Sequence, residues 1–370
     1  MRVLVVGGGP AGVTAAIALG RAGIDALVLE REETDRPVGI GLALQNSPLR
    51  ALDTLGLLAP VVERGFPLDA VHICAPDGTV VHRVFTEPLV PGTPPVVALS
   101  RVALAGILGE ALAATPGAEI RFGTSVTALR DLGDGVEADL TDGSTERVDL
   151  VVGADGLHSS VRGLVLPDAP PPTRAGQLIW RVSAPRPPEV DRYLLTDLGP
   201  RGRVGIVPIA DDELYLWFLQ PDDGGPRPPE GQRLAALRER LAPFGGLVPL
   251  VAERLRPDVD HRGLAAMLLP PPWHRGRVVL IGDAAHTTTP HIAYGVGMAI
   301  EDSVVLAEEL GNAASVEAAL AAFSARRFER CRLVVETSLQ LSRWEVDPPA
   351  DPTLHHQLTG RALAALSEPL

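Results

Sequence analysis

Apolar positions along the chain fall into blocks whose period switches between that of a strand and that of a helix. Residues 3–6 are an unbroken branched-apolar run, the pattern of a parallel strand covered on both faces. Residues 10–21 carry helical spacing and stop just before Gly23, a residue suited to ending a helix. Residues 25–30 form a second apolar strand, so the chain opens as a βαβ unit. A helix is predicted over about 48–57, where Leu49, Leu52 and Leu55 recur on one face. From 68 to 83 the period shortens to that of strands around the turn Asp77-Gly78. A helix over about 101–115 leads to strands at 119–122, 126–130 and 137–141, the last turning at Asp142-Gly143. Residues 150–153 read as buried strand again.

Beyond the proline-rich 167–172, short β runs at 177–182, 193–196, 204–208 and 214–219 predict a separate, mostly antiparallel sheet. Helices are predicted over 232–241 and 247–255, a parallel strand at 278–281, and long helices over 296–310 and 316–344. The Pro/Gly-rich stretches 221–231 and 347–352 read as loops, and no repeat is visible. The predicted fold class is α/β, with a discontinuous Rossmann-like dinucleotide domain at 1–75, 96–175 and 270–345. A β-sheet substrate domain at 76–95 and 176–269 is inserted in it, and 346–370 is a C-terminal extension.

Composition narrows the function. With 46% hydrophobic residues in 370, a globular core is well supplied. The net charge of −13 argues against nucleic acid and anionic membrane as partners, since both need clustered positive charge. All 33 basic residues are arginine, so ionic contacts to phosphate fall to arginine, histidine or backbone N–H, and lysine Schiff-base chemistry is excluded. Cys74 and Cys331 stand far apart without metal-ligand spacing, against a disulfide framework or a cysteine zinc site. Arg2 and the apolar run to Leu19 imitate a secretion signal. That run is broken by the glycines at 7–12 and followed at once by a second strand, which favours a retained domain and a cytoplasmic protein.

Gly7-x-Gly9-x-x-Gly12 lies between the first strand and the first helix, with Pro10 and Ala11 inside it. Gly7 permits a tight turn, Gly9 a close approach of pyrophosphate, and Gly12 close packing of helix on strand. The helix N-terminus offers unpaired N–H groups to phosphate. Glu30, followed by Arg31, ends the second strand 18 residues after Gly12, where a carboxylate can accept from ribose hydroxyls and repel a 2′-phosphate. This favours FAD or NAD over NADP.

Two later motifs carry a family resemblance. Gly153-Ala154-Asp155-Gly156, continuing to Ser160-Val161-Arg162, and Gly282-Asp283-Ala284-Ala285-His286 are similar to paired segments of the class A flavoprotein monooxygenases, the para-hydroxybenzoate hydroxylase family. Ser100-Arg101 at a helix head, and the stretch from Gly39-Ile40-Gly41-Leu42 through Asn46 to Leu52, also resemble that family. The resemblance covers residues 1 to about 330. It implies a glutathione-reductase-type FAD domain with Asp283 on the ribityl hydroxyls and Arg101 near the phosphate and ribityl region. It also implies Gly41 near the ribityl chain and flavin, and Asp155 and Gly156 between FAD phosphate and nicotinamide sites. Pro290 would lie at the isoalloxazine edge, with Gly295, Val296 and Gly297 beside the ring. The chain departs from the family's Pro-x-Gly-Gly-Gln-Gly-x-Asn, placing Tyr294 at the glutamine and Gly297 at the asparagine. Glu301 and Asp302 read as acids favoured by the dipole early in a helix.

By the same resemblance, NAD(P)H would reduce a mobile flavin, and a flavin C4a-hydroperoxide would hydroxylate an aromatic or related electron-rich small molecule with O₂. No metal is required. No second glycine-rich βαβ unit is visible, so the nicotinamide has no permanent domain. Candidate catalytic residues are His291, which could take a phenolic proton, Tyr294, which could stack on the substrate, and Arg181. Trp180, Tyr193 and Trp217 are further pocket candidates. An FAD reductase or dehydrogenase of the same fold and a non-catalytic FAD-binding protein stay open. A halogenase is disfavoured, because its Trp-x-Trp-x-Ile-Pro signature and lysine are absent. Monomer and homodimer are both compatible with the sequence.

Overall fold

A computed structural model describes residues 1–34, 40–351 and 353–370. Gly39, which opens the stretch after the second strand, lies outside them. Along the chain, β1 (Arg2–Val6), α1 (Pro10–Arg21) and β2 (Asp25–Leu29) precede β3 (Gly41–Gln45), α2 (Asn46–Thr54), α3 (Leu58–Arg64) and β4 (Phe66–Leu68). Next come β5 (Ala70–Cys74), β6 (Val80–Phe85), β7 (Val96–Ser100), α4 (Arg101–Ala113), β8 (Ala118–Arg121), β9 (Val126–Asp131) and β10 (Val136–Leu140). They are followed by β11 (Thr145–Val148), β12 (Leu150–Gly153), α5 (Ser160–Val165), β13 (Thr173–Pro185), β14 (Tyr193–Asp197), β15 (Arg203–Pro208) and β16 (Glu213–Pro221). The chain closes with α6 (Arg233–Leu241), α7 (Val248–Ala252), β17 (Asp260–Ala266), β18 (His274–Arg275), β19 (Val278–Leu280), α8 (Asp283–His286), α9 (Gly295–Asn312), α10 (Val316–Val346) and α11 (Thr353–Ser367).

The apolar runs at 3–6, 26–29, 150–153 and 278–280 pair side by side because each is buried on both faces. They form a six-stranded sheet in the order β18-β19-β12-β1-β2-β8, parallel except for β18. A second sheet has seven strands in the order β17-β13-β16-β15-β14-β5-β6, antiparallel except between β14 and β5. Smaller antiparallel sheets, β11-β10-β9 and β3-β7-β4, complete the mixed α/β fold. Among the described residues no helix is long and apolar enough to cross a membrane.

Two placements differ from the sequence reading. Strand β5, assigned by its position to the dinucleotide domain, pairs with β14 and β6 in the seven-stranded sheet. The extension after 346 holds α11, which buries Ala362 and Leu366. Carbonyls at its end accept from Arg50 (3.0 Å to Ser367) and Arg330 (2.6 Å to Leu366).

The seven-stranded sheet has two distinct faces, as strand alternation requires. Trp180, Val182, Leu214, Leu216 and Phe218 pack against Leu237, Leu241, Phe244 and Val251 of the α6–α7 layer. Arg181, Tyr215 and Trp217 point the other way, toward β3 and β7.

Candidate active site

The glycine loop is shaped by close contacts. Gly7 has φ +114°, and a Cβ on it would meet Ala154 O at 2.5 Å; a Cβ on Gly12 would meet Gly7 O at 1.9 Å. Neither position tolerates a side chain. At Gly9 a Cβ would meet nothing within 4 Å, so the space above the first turn of α1 is open. Pro10 occupies the first turn, Ala11 is buried, and no side chain caps the helix, which leaves N–H groups for an anion. Glu30 is fixed from behind by N–H donors of Gly8 (2.7 Å) and Glu32 (2.9 Å). Arg31 projects into solvent beside Glu32.

The two glycine–aspartate turns lie at the ends of β12 and β19 and are tied together. Asp155 Oδ2 accepts from Ser160 N, Ser160 Oγ and Val161 N at 2.7–3.1 Å, so this carboxylate braces the head of α5. Gly156 follows it in the turn. Arg162 donates to Leu157 O and to Ala284 O, bridging the motifs.

Behind the second turn lies a buried ionic network that the sequence reading took for helix-start acids. Asp302 and Glu301 are 0% exposed. Asp302 accepts from Gly282 N (2.9 Å) and Arg327 Nε (2.7 Å), and its Oδ2 lies 2.7 Å from His286 Nε2. Burial alone would raise the Asp302 carboxyl, yet His286 and Arg327 bring it down to about 2. Burial likewise disfavours a charged His286, but Asp302 holds its pKa well above the ordinary value. His286 thus serves the turn from inside, away from any substrate.

Asp283 itself is exposed, while the surrounding protein desolvates it enough to raise its carboxyl against the pull of His286 and Arg101. Its carboxylate has no hydrogen-bond partner among the described residues. Arg101, at the head of α4, carries a guanidinium with neither ion pair nor hydrogen bond among them, and its Nε is buried without a partner. Burial and nearby Arg181 lower its pKa, against Tyr215 and Asp283. An unpartnered carboxylate and an unpartnered guanidinium thus lie within electrostatic reach of each other, and the turn before Asp283 packs on the glycine-loop helix, where a Cβ on Gly282 would meet that of Ala11 at 3.1 Å. The residues present fit a dinucleotide whose hydroxyls donate to Asp283 and whose anionic part faces Arg101 and α1.

The turn after Thr289 corrects two sequence expectations. Pro290 and Ala293 are exposed, and Gly295 and Val296 are half-buried at the head of α9. Tyr294 is 2% exposed, and its hydroxyl donates to Glu301. The His291 side chain is 1% exposed, with Nε2 3.2 Å from Glu345 and Nδ1 2.9 Å from Thr289 Oγ1. Both rings brace the loop from behind and present no face to a substrate. Gly297 is small for a packing reason, since a Cβ there would lie 2.3 Å from Pro48 Cγ.

Arg181 is committed as well, donating to Asp260 through Nε (2.8 Å) and NH2 (2.5 Å). The three predicted catalytic side chains are therefore each tied to a different carboxylate and are not assembled into one group. Trp180 is also displaced from the site. It is 0% exposed and stacks on His261 at 3.7 Å on the helix-covered face. Tyr193 and Trp217 do belong to the opposite face, where they pack with Tyr215 against residues of β3, β4 and β7. Trp217 lies over Gly205, where a Cβ would sit 2.2 Å from the indole. Tyr215, missed in the sequence, seats its ring against Gly41, and burial pushes its phenol up to about 12. Its alternation with Leu214 and Leu216 was the available signal.

The glycine loop, the paired turns and the unpartnered Asp283 and Arg101 agree with a match to the FAD binding domain family model over residues 1–338. The chain belongs to the FAD-dependent monooxygenase family. It is 35% identical over 357 residues to a 2-heptyl-3-hydroxy-4(1H)-quinolone synthase of Pseudomonas aeruginosa, covering 93% of this chain and 90% of that one. The aurachin C monooxygenase/isomerase of Stigmatella aurantiaca is 32% identical over 358 residues, with the same coverage of 93% and 90%. Klebsiella pneumoniae HpxO, solved with FAD and uric acid, superposes with a TM-score of 0.84 at 27% identity, covering 100% of this chain and 93% of that one. Membership makes the protein an FAD-dependent flavoprotein monooxygenase.

Proposed function

We propose that the enzyme consumes NAD(P)H and O₂ to hydroxylate a planar, electron-rich aromatic small molecule, with a nitrogen heterocycle as the first class to test. The observation that carries this reading is the pair of groups without protein partners among the described residues, Asp283 and Arg101, with Arg181 and Tyr215 close enough to Arg101 to shift it. The quinolone and uric acid in the relatives' names support the heterocycle.

The FAD domain is of the glutathione-reductase type. It is built from 1 to about 68, 96–172 and 270–345, with the seven-stranded sheet as the inserted substrate domain. Gly7, Gly9, Pro10, Ala11 and Gly12 hold the pyrophosphate, Glu30 the ribose, Arg101 and Asp283 the phosphate–ribityl region. Gly41, Pro290, Gly295 and Val296 line the ring. Asp155 and Gly156 shape the nicotinamide side, and Arg31 lies at the outer rim. Bound FAD, once reduced, supplies the oxygen-activating chemistry. The chain's own part is to orient the substrate and exclude water, with Arg181 fixed by Asp260 and Trp217 laid flat over Gly205.

The test is NAD(P)H oxidation by the holoenzyme with quinolones, purines and hydroxybenzoates under isotopically labelled O₂. One labelled hydroxyl on a product, with matching NAD(P)H loss, is expected. Turnover of a native substrate with no label in any product would overturn the hydroxylase reading in favour of a dehydrogenase.

A further inference from the structure

Glu345 belongs to none of the sequence motifs, yet it joins α10 to β13, β15 and the 290–292 turn. It lies at the end of α10 with its side chain 8% exposed. Oε1 accepts from Arg203 NH1 of β15 at 2.6 Å. Oε2 accepts from Gln177 Nε2 of β13 at 3.0 Å and lies 3.2 Å from His291 Nε2. Arg203 also donates to Asp197 of β14, and Ser342 of α10 donates to Gln177 Oε1. His291 is gripped at both nitrogens, since Nδ1 meets Thr289 Oγ1. Burial opposes the charge on Glu345, but His291 and Arg203 bring its pKa down to about 2, so it is an anion at every working pH.

We propose that Glu345 is a positioning residue, which pins the 289–292 turn to the seven-stranded sheet and so sets the gap where flavin and substrate meet. This rests on the reading that Pro290 borders the flavin. His291 adjoins Pro290, and among the described residues its imidazole hydrogen-bonds toward the sheet only through Glu345. Without the carboxylate, Arg203 keeps Asp197 and stays on the sheet, whereas His291 keeps only Thr289 of its own turn. The turn keeps the bond from Gln45 Nε2 to Ile292 O at 2.6 Å and its packing on α10, but loses its hydrogen-bonded tie to the substrate wall while both sheets remain folded. A looser gap admits water and O₂ to the reduced cofactor, and the leak is NAD(P)H + H⁺ + O₂ → NAD(P)⁺ + H₂O₂.

The test uses holoenzyme at saturating FAD, without any aromatic compound, and reads H₂O₂ release with NADH and with NADPH beside the visible flavin spectrum. E345A is expected to release H₂O₂ on the order of tenfold faster, about 1.4 kcal/mol in barrier, and to shift the flavin band. E345Q, which keeps an acceptor for Arg203 and a polar partner for His291, should restore most of the wild-type behaviour. H291A should reproduce the defect, and E345A/H291A should be no worse than E345A. A residue that merely stabilises the fold would lower Tm and leave both readouts on the flavin-bound fraction unchanged; that result overturns the proposal. Wild-type protein that binds no FAD would instead overturn the reading beneath it.

Discussion

Replacing Asp302 by Asn keeps the shape of the side chain and removes the charge on which three donors converge. Gly282 N, His286 and Arg327 would then face an amide that can satisfy them only in part, inside a site with no access to water. The magnitude follows from two routes. Lowering the carboxyl from 3.8 to about 2 corresponds to roughly 2–3 kcal/mol at ~1.4 kcal/mol per pH unit. Breaking a buried ion pair costs about 3–5 kcal/mol, and Arg327 keeps Glu301 as a second partner, which favours the lower end. A loss of about 3 kcal/mol at neutral pH is expected, with Tm down by roughly 4 °C for a chain of 370 residues. The sign with pH is fixed: a depressed carboxyl stabilises the fold above its unfolded pKa, and the contribution fades as pH falls through its folded value. The gap between wild type and D302N should therefore be widest between about pH 4 and 6.5, close toward pH 2 as Asp302 takes up its proton, and narrow above about pH 6.5, where the raised pKa that Asp302 gives His286 contributes progressively less. Urea unfolding of the apo forms across that range measures it. A difference below about 1 kcal/mol at neutral pH, or one that persists undiminished in acid, refutes the assignment.

Gly9→Val should abolish FAD retention while the apo fold survives, because its Cβ meets no protein atom; recovered yellow protein would show that the loop does not carry pyrophosphate. Asp283→Ala should weaken FAD by roughly 1–3 kcal/mol, tens-fold in dissociation constant, with little change in apo stability, since the carboxylate bonds no protein donor; fluorescence titration reads it. Gly297→Asn, which restores the family's usual residue, should destabilise by about 1–3 kcal/mol against Pro48, measured as Tm. Trp180→Ala should cost about 3–5 kcal/mol of stability yet leave KM for the aromatic substrate unchanged, because its face of the sheet is the helix-covered one.

Local chemistry was readable in the sequence wherever a residue's role depends on its immediate neighbours. The glycines at 7, 9 and 12, the acid at 30 and the two glycine–aspartate turns could be placed because strand, turn and helix follow one another within a few residues. Residues acting across the fold could not. Glu301 and Asp302 look like ordinary early-helix acids until Arg327 and Arg330 arrive from α10, and nothing local marks Glu345 as the partner of His291. Tyr294 and His291 were placed in the pocket because they follow Pro290. The direction of a ring is set by what lies behind it, here Glu301 and Glu345. The separation of Trp180 from Arg181 was legible and overlooked, since neighbours on a strand face opposite ways. The helix at 353–367 was hidden by its proline-rich approach, which suggested a tail.

The cradle proposed for the cofactor draws on segments far apart in sequence, and this bears on when the newborn protein can acquire its colour. The glycine loop at 7–12 is synthesised long before Asp283 and the Arg327 that steadies the turn beside it through Asp302. At ordinary elongation rates the incomplete chain exists for roughly 15–60 s with only one side of the cradle made. Strand β19 must also arrive before the partner edge of β12 is covered. On that proposal tight FAD capture waits until α10 has been made, and cells short of riboflavin should accumulate apoprotein rather than stalled chains.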